Sequence, residues 1–310
     1  MNADAQSLPA HASPLSSRDC ALARPRQLVD VTQLDALLAT RAADDLLLLE
    51  VGCGQQVQFE TAHIPGAAYL DTGKIESPPL FNKVDDHALL TVLLSYGIHH
   101  GATVVLYGRN RLAAARAAHL LLYAGVADVR LLDGDFSHWQ LAGLACASGR
   151  GRRSTAVSAF GAPFPLCPHL LTSTAEARGN TGALVSVRTW REYSGASSGY
   201  SYIAARGDIA GARWGRAGQE GDVNSMSAYQ QPDGRMRPGA DIARMWESAG
   251  IGPGMPSVFY CGTGWRASLA FCYAWLMGWE QISVYDGGWF EWSLDPANPV
   301  VMRVGEAVAA

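Results

Sequence analysis

Apolar positions in this chain gather into short runs bounded by Gly, Pro and Asp, and the runs recur in two rounds. In the first half, Asp45–Val51 reads as a buried strand, His63–Ala67 as a turn and Ala102–Tyr107 as a β-branched strand. An Ala/Leu-rich helix over Leu112–Tyr123 stops at Gly125, and a strand at Val129–Leu132 closes on Asp133-Gly134. The second half repeats the order. Ala183–Val187 is the first strand, Asp208–Ala212 the turn and Pro256–Tyr260 the second strand. Arg266–Met277 is the helix, ending at Gly278, and Ile282–Tyr285 closes on Asp286-Gly287. Each run is too short to be anything but a buried strand or a packed helix.

The two rounds align without a gap toward their ends. Gly108 with Cys261, Gly125 with Gly278, Asp133 with Asp286 and Trp139 with Trp292 all keep one constant offset. Strand–helix–strand alternation predicts an α/β protein of two tandem domains, each a mainly parallel sheet with helices on both faces. The boundaries expected are a disordered Ala/Ser/Pro-rich tail over 1–24, a first domain over 25–148, a linker over 149–172 and a second domain over 173–310.

Composition supports two separate cores: 310 residues, 48% hydrophobic and 17% charged. A net charge of −4 and the lack of basic runs argue against nucleic acid as a partner. No apolar segment approaches the roughly 18–20 residues of a membrane helix. The first residues lack a basic start and an apolar core, so no signal peptide is read and a cytoplasmic location is expected. The six cysteines show no Cys/His ligand spacing, which argues against a metal and against a disulfide framework.

The segment with chemistry in it is Phe259–Ser268. A buried strand runs into a Gly-containing loop, and a helix begins at once. In a parallel sheet this is the carboxyl end of a strand, where ligands bind. Cys261 sits where backbone N–H groups and a helix N-terminus converge, an arrangement that favours a thiolate. Gly262 and Gly264 let the loop turn its N–H groups inward, and Arg266 adds a positive charge. Such a cradle suits attack on phosphorus or on a sulfane sulfur. Cysteine phosphatases place five residues between cysteine and arginine; here four separate Cys261 from Arg266. The shorter loop makes a smaller cradle, fit for one sulfur atom.

These residues resemble the tandem-domain rhodanese family. His63-Ile-Pro-Gly66 and Asp208-Ile-Ala-Gly211 resemble its turn signature, Cys261–Gly264 its active loop and Tyr285–Trp292 its closing signature. Gly211–Gly215 and Phe259–Ser268 look like the YnjE-type bacterial sulfurtransferases. The resemblance implies ping-pong sulfur transfer through a Cys261 persulfide, with no metal or organic cofactor. Thiosulfate is the expected donor, with 3-mercaptopyruvate as the alternative. Cyanide or a thiol is the expected acceptor, with a sulfur-relay role toward an acceptor protein as a further reading. Gly108 cannot hold sulfur, so the first domain should be silent. Expected substrate contacts are Gly262, Thr263, Gly264, Trp265, Arg266, Arg206 and His63. Cys272 reads as a core residue. The family's first-strand aspartate is missing, which leaves Glu192 and Asp208 as candidate partners for Arg266.

Overall fold

The computed structural model describes residues 22–40 and 46–305. Most of the expected tail therefore lies outside the described residues. The first domain contains β1 (Leu28–Val29), α1 (Val31–Thr40), β2 (Leu47–Gly52), α2 (Gln56–Thr61) and β3 (Ala67–Asp71). A hairpin of β4 (Glu76–Ser77) and β5 (Asn82–Lys83) follows, then α3 (Asp86–Ser95), β6 (Thr103–Tyr107), α4 (Arg111–Ala124), β7 (Asp128–Leu132) and α5 (Phe136–Leu141). Its parallel sheet has the order β1-β7-β6-β2-β3.

The second domain opens with β8 (Leu171–Thr172), α6 (Thr174–Arg178), β9 (Ala183–Ser186), α7 (Trp190–Ser194), β10 (Asp208–Ile209) and β11 (Arg213–Trp214). It continues with α8 (Gly239–Ser248), β12 (Ser257–Tyr260), α9 (Trp265–Leu276), β13 (Ile282–Tyr285), α10 (Gly288–Leu294) and β14 (Val300–Val301). Its parallel sheet has the order β11-β9-β12-β13-β8, the same topology as the first. β14 returns antiparallel to β10. The repeat in the sequence is thus a repeat of the fold. β6 and β12 are the central strands, and Gly108 and Cys261 each follow one of them.

The segment 149–170 is held along the first domain by its backbone. Gly149 N–H donates to Glu60, Arg152 to Ala67 and Val157 to Leu94. Leu171–Thr172, expected in the linker, instead forms the edge strand β8 beside β13. Arg24, expected in the tail, docks on the second domain, with its N–H on the Leu276 carbonyl and its guanidinium over the Trp275 ring.

The domains meet through α4 and α9, which pack directly on one another. Both helices are buried nearly all round. Each lies between its own sheet and the other domain's helix, so neither needs a polar stripe. Alanines at 113, 114, 117 and 118 keep α4 slim enough for close approach. One continuous apolar cluster therefore runs from Leu106 of β6 through α4 and α9 to Phe259 of β12.

A charged cluster sits inside this apolar interface. Arg116 of α4 has no exposed surface. Its Nε donates to Glu76 at 2.6 Å and its Nη2 to Asp286 of the second domain at 2.5 Å. The Lys83 N–H also donates to Asp286, at 2.8 Å. Removing Arg116 would leave two buried carboxylates without their cation, at a cost of about 3–5 kcal/mol. We expect Arg116→Met to lower the unfolding free energy by that amount in urea titrations. A loss below about 1 kcal/mol would contradict the role assigned to the cluster.

Candidate active site

The loop after β12 carries the only nucleophile–cradle arrangement the sequence singled out, and its geometry can be built outward from Cys261. The Cys261 side chain is 1% exposed. Its Sγ accepts a hydrogen bond from the Gly264 N–H at 3.2 Å. Gly264 is the N-cap of α9 and has φ of 98°, a left-handed conformation that a side chain would strain. That conformation turns its N–H back onto the sulfur. The helix then starts with its unpaired N–H groups near the loop, a setting that stabilises negative charge. The closing segment clamps the loop from behind. Trp289 N–H donates to the Cys261 carbonyl at 2.8 Å and Phe290 N–H to the Gly262 carbonyl at 3.1 Å.

Arg266 does not point into open space. Its Nη1 and Nη2 pair with Glu192 at 2.9 and 2.7 Å, a two-pronged bond, and Nη2 also donates to the Tyr200 hydroxyl at 2.7 Å. Of the two candidates, Glu192 is therefore the partner. Asp208 pairs with Arg188 at 3.1 Å and accepts from Ser186 at 2.7 Å. Burial alone would raise the Glu192 carboxyl. The charge and hydrogen bonds of Arg266, with Arg188 and the Thr189 N–H, outweigh burial and hold it at about 2. The pair anchors the first turn of α9, and Tyr200 extends it to the cradle, where the Gly262 N–H donates to the Tyr200 hydroxyl at 3.2 Å.

A cleft of about 260 Å³ opens beside the loop. Both domains line it. The first supplies Glu76, Pro78, Phe81 and Cys53 among others, and the second Tyr200, Tyr202, Thr263, Trp265 and Arg266. Trp265 donates its indole N–H to both Glu76 oxygens, at 2.9 and 3.1 Å. Burial pushes the Glu76 carboxyl up, opposed by Arg116 and by the Trp265 indole. Of the expected loop residues, Thr263, Trp265 and Arg266 line this cleft, whereas Cys261, Gly262 and Gly264 are not among its lining residues.

Two expected contacts lie elsewhere. His63 is 1% exposed, stacks on Phe59 at 4.0 Å between ring centroids and bonds the Phe59 carbonyl through Nδ1 at 2.8 Å. It is a packing residue of the first domain's turn. Arg206 is exposed and does not line the cleft. Cys272 is buried, with Sγ 3.7 Å from the Ala115 carbonyl, and burial pushes its thiol up. It belongs to the α4–α9 interface. Tyr200, Tyr202, Phe81, Glu76 and Arg116 were not found from sequence. The Tyr-Ser-Tyr triplet over 200–202 in a Ser/Gly-rich loop was the one available signal for the first two.

The first domain's loop is built differently. A Cβ at Gly108 would lie 2.6 Å from the Val51 carbonyl oxygen and 2.8 Å from that of Asn110. Arg109, the next residue, turns its guanidinium away to first-domain partners. Its Nε pairs with Glu50 at 2.9 Å, and its guanidinium lies over the Phe136 ring, 4.4 Å from the centroid.

The rhodanese-like domain family matches residues 30–142 and 171–295, one match on each sheet. The chain belongs to the rhodanese family. It is 48% identical to the thiosulfate sulfurtransferase YnjE of Escherichia coli over 283 residues, which cover 90% of this chain and 64% of that protein. The chain therefore spans less than two thirds of that relative's length. The crystal structure of YnjE superposes with a TM-score of 0.87 at 46% identity, covering 91% of this chain and 69% of the other. The anaerobic ergothioneine biosynthesis enzyme of Chlorobium limicola, solved with trimethyl histidine, superposes with a TM-score of 0.85 at 37% identity, covering 91% and 72%. The sulfur carrier protein TtuD of Thermus thermophilus is 29% identical, over 76% of this chain and 83% of that protein. No helix among the described residues is long and apolar enough to cross a membrane.

Two outcomes follow from the rhodanese site. The depressed Glu192 carboxyl stabilises the fold above its ordinary value near 4.5, and that contribution fades as pH falls toward about 2. The difference in unfolding free energy between wild type and Glu192→Gln, on the order of 3 kcal/mol at pH 6, should shrink between pH 5 and pH 3. A constant difference would contradict the pairing. Gly108→Cys should destabilise the first domain by about 1–3 kcal/mol and take up no sulfur from a donor. Labelling of the new thiol would contradict the crowding seen there.

Proposed function

We propose that this chain is a thiosulfate sulfurtransferase with Cys261 as its sulfur carrier. The observation that carries the reading is the Cys261 sulfur, buried at the carboxyl end of the central strand and accepting the Gly264 N–H. The naming of its YnjE relative as a thiosulfate sulfurtransferase supports it. In the first half-reaction the Cys261 thiolate attacks the outer sulfur of thiosulfate. A new S–S bond forms, the bond to sulfite breaks, and its electron pair leaves on sulfite. In the second, a nucleophilic acceptor attacks that outer sulfur and the pair returns to Cys261. Two easier displacements replace one difficult transfer.

Backbone N–H groups are the stabilising element for both the thiolate and the persulfide anion. In this reading the Gly264 N–H holds the sulfur, while the Gly262 N–H is taken by the Tyr200 hydroxyl. Thr263 and Trp265 face the acceptor, and Arg266 fixes the start of α9 instead of holding the donor's charge. The first domain is silent and acts as one wall of the cleft. Five described cysteines are free, which suits a reducing compartment such as the cytoplasm.

A second reading takes 3-mercaptopyruvate as donor. It is favoured by the pairing of Arg266 with Glu192, which leaves no unpaired guanidinium for a dianion. Steady-state rates with each donor and cyanide separate the two. We expect turnover with at least one donor, and none in Cys261→Ser. Cys272→Ser should retain at least half of the wild-type rate. Transfer surviving in Cys261→Ser would overturn the assignment.

A further inference from the structure

Charge and aromatic surface in the cleft bear on which acceptor can enter it. Arg266 is the one basic side chain among the described lining residues, and it is bonded to Glu192 and Tyr200. Glu76 is the acidic one. It is 4% exposed, and its oxygens accept from Arg116 and from Trp265. Every hydrogen-bond partner of this carboxyl is a donor. Behind it, Arg116 also serves Asp286, so one guanidinium stands against two carboxylates. Two carboxyl groups thus share one guanidinium beside the cleft.

Four aromatic side chains stand among the remaining lining residues. Phe81 and Tyr202 pack with ring centroids 5.7 Å apart, Tyr200 and Tyr202 at 5.5 Å, and all three line the cleft with Trp265. Aromatic rings with a nearby carboxylate attract organic cations, through the ring quadrupole and through Coulomb attraction in a partly desolvated site.

We propose that Glu76, supplied by the silent first domain, selects the sulfur acceptor by charge, so that the cleft favours a small thiol bearing an ammonium group over one bearing a carboxylate. The inference rests on the persulfide reading of Cys261 and names the acceptor class for that site. The acceptor thiolate attacks the outer sulfur of the Cys261 persulfide. An S–S bond to the acceptor forms, the S–S bond to Cys261 breaks, and the pair returns to Cys261. The proton of the acceptor thiol is lost to solvent beforehand, and no further reactant is needed. Glu76 takes no part in bond making. It sets where a positive group rests and which thiols approach.

The experiment is a single-turnover discharge. The full chain is loaded with sulfur from thiosulfate, freed of excess donor, and mixed at pH 8 with cysteamine, 2-mercaptoethanol or 3-mercaptopropionate. Rates are corrected for the thiolate fraction of each acceptor. We expect cysteamine to discharge the persulfide at least about tenfold faster than 3-mercaptopropionate at equal subsaturating concentration, with 2-mercaptoethanol between them. Glu76→Gln, which keeps an acceptor oxygen for Arg116 and Trp265, should reduce that ratio to about threefold or less. Tyr202→Leu should lower the cysteamine rate by a larger factor than the 3-mercaptopropionate rate. Equal rates in the wild type, or a ratio that survives both substitutions, would overturn the proposal. Failure to load sulfur at all would instead count against the persulfide reading.

Discussion

A guanidinium without solvent, held between carboxylates from two domains, is the constraint on which the cleft depends. Arg116 rises from α4 of the first domain and binds Glu76 there and Asp286 across the interface. Glu76 then takes the indole of Trp265, four positions after the cysteine. The Asp286 position lies in the segment whose next residues clamp the Cys261 loop. A buried charge of this kind is costly unless every partner is in place. The domains are therefore fixed in one relation, and the cleft between them has one shape.

That arrangement explains why a duplicated fold keeps an unarmed half. Gly108 has no room for a side chain, and Arg109 beside it is paired with Glu50. The first domain has nonetheless kept the helix that packs on α9 and the hairpin that carries Glu76. It contributes one wall of the cleft. The second domain has kept Cys261 under the Gly264 N–H, with Arg266 paired to Glu192. Function is divided between the halves, although the sheets share one topology.

Much of this was readable in the sequence because it is local. The constant offset between Gly108 and Cys261, and between Asp133 and Asp286, reports strand–loop–helix units that form within a few dozen residues. The Gly-containing loop directly after the Pro256–Tyr260 run marked the place of Cys261 for the same reason. What escaped detection is non-local. Arg116 looks like one more charge in an Ala-rich helix until β4 and Asp286 are brought to it. Tyr200 lies far from Arg266 in the chain yet bonds it directly. His63 misled in the opposite sense: its turn signature is real, but the ring stacks inward on Phe59. The short edge strands β1, β8 and β11 carry too few residues to show a period.

The central claim is that Cys261 carries the sulfur. Intact mass and peptide mapping of the wild-type chain, before and after incubation with thiosulfate under anaerobic conditions, test it most directly. The structure predicts a gain of one sulfur atom, mapped to the peptide holding Cys261 and removed by a thiol acceptor. A gain mapped to Cys53 or Cys272, or no gain with either thiosulfate or 3-mercaptopyruvate, would contradict it.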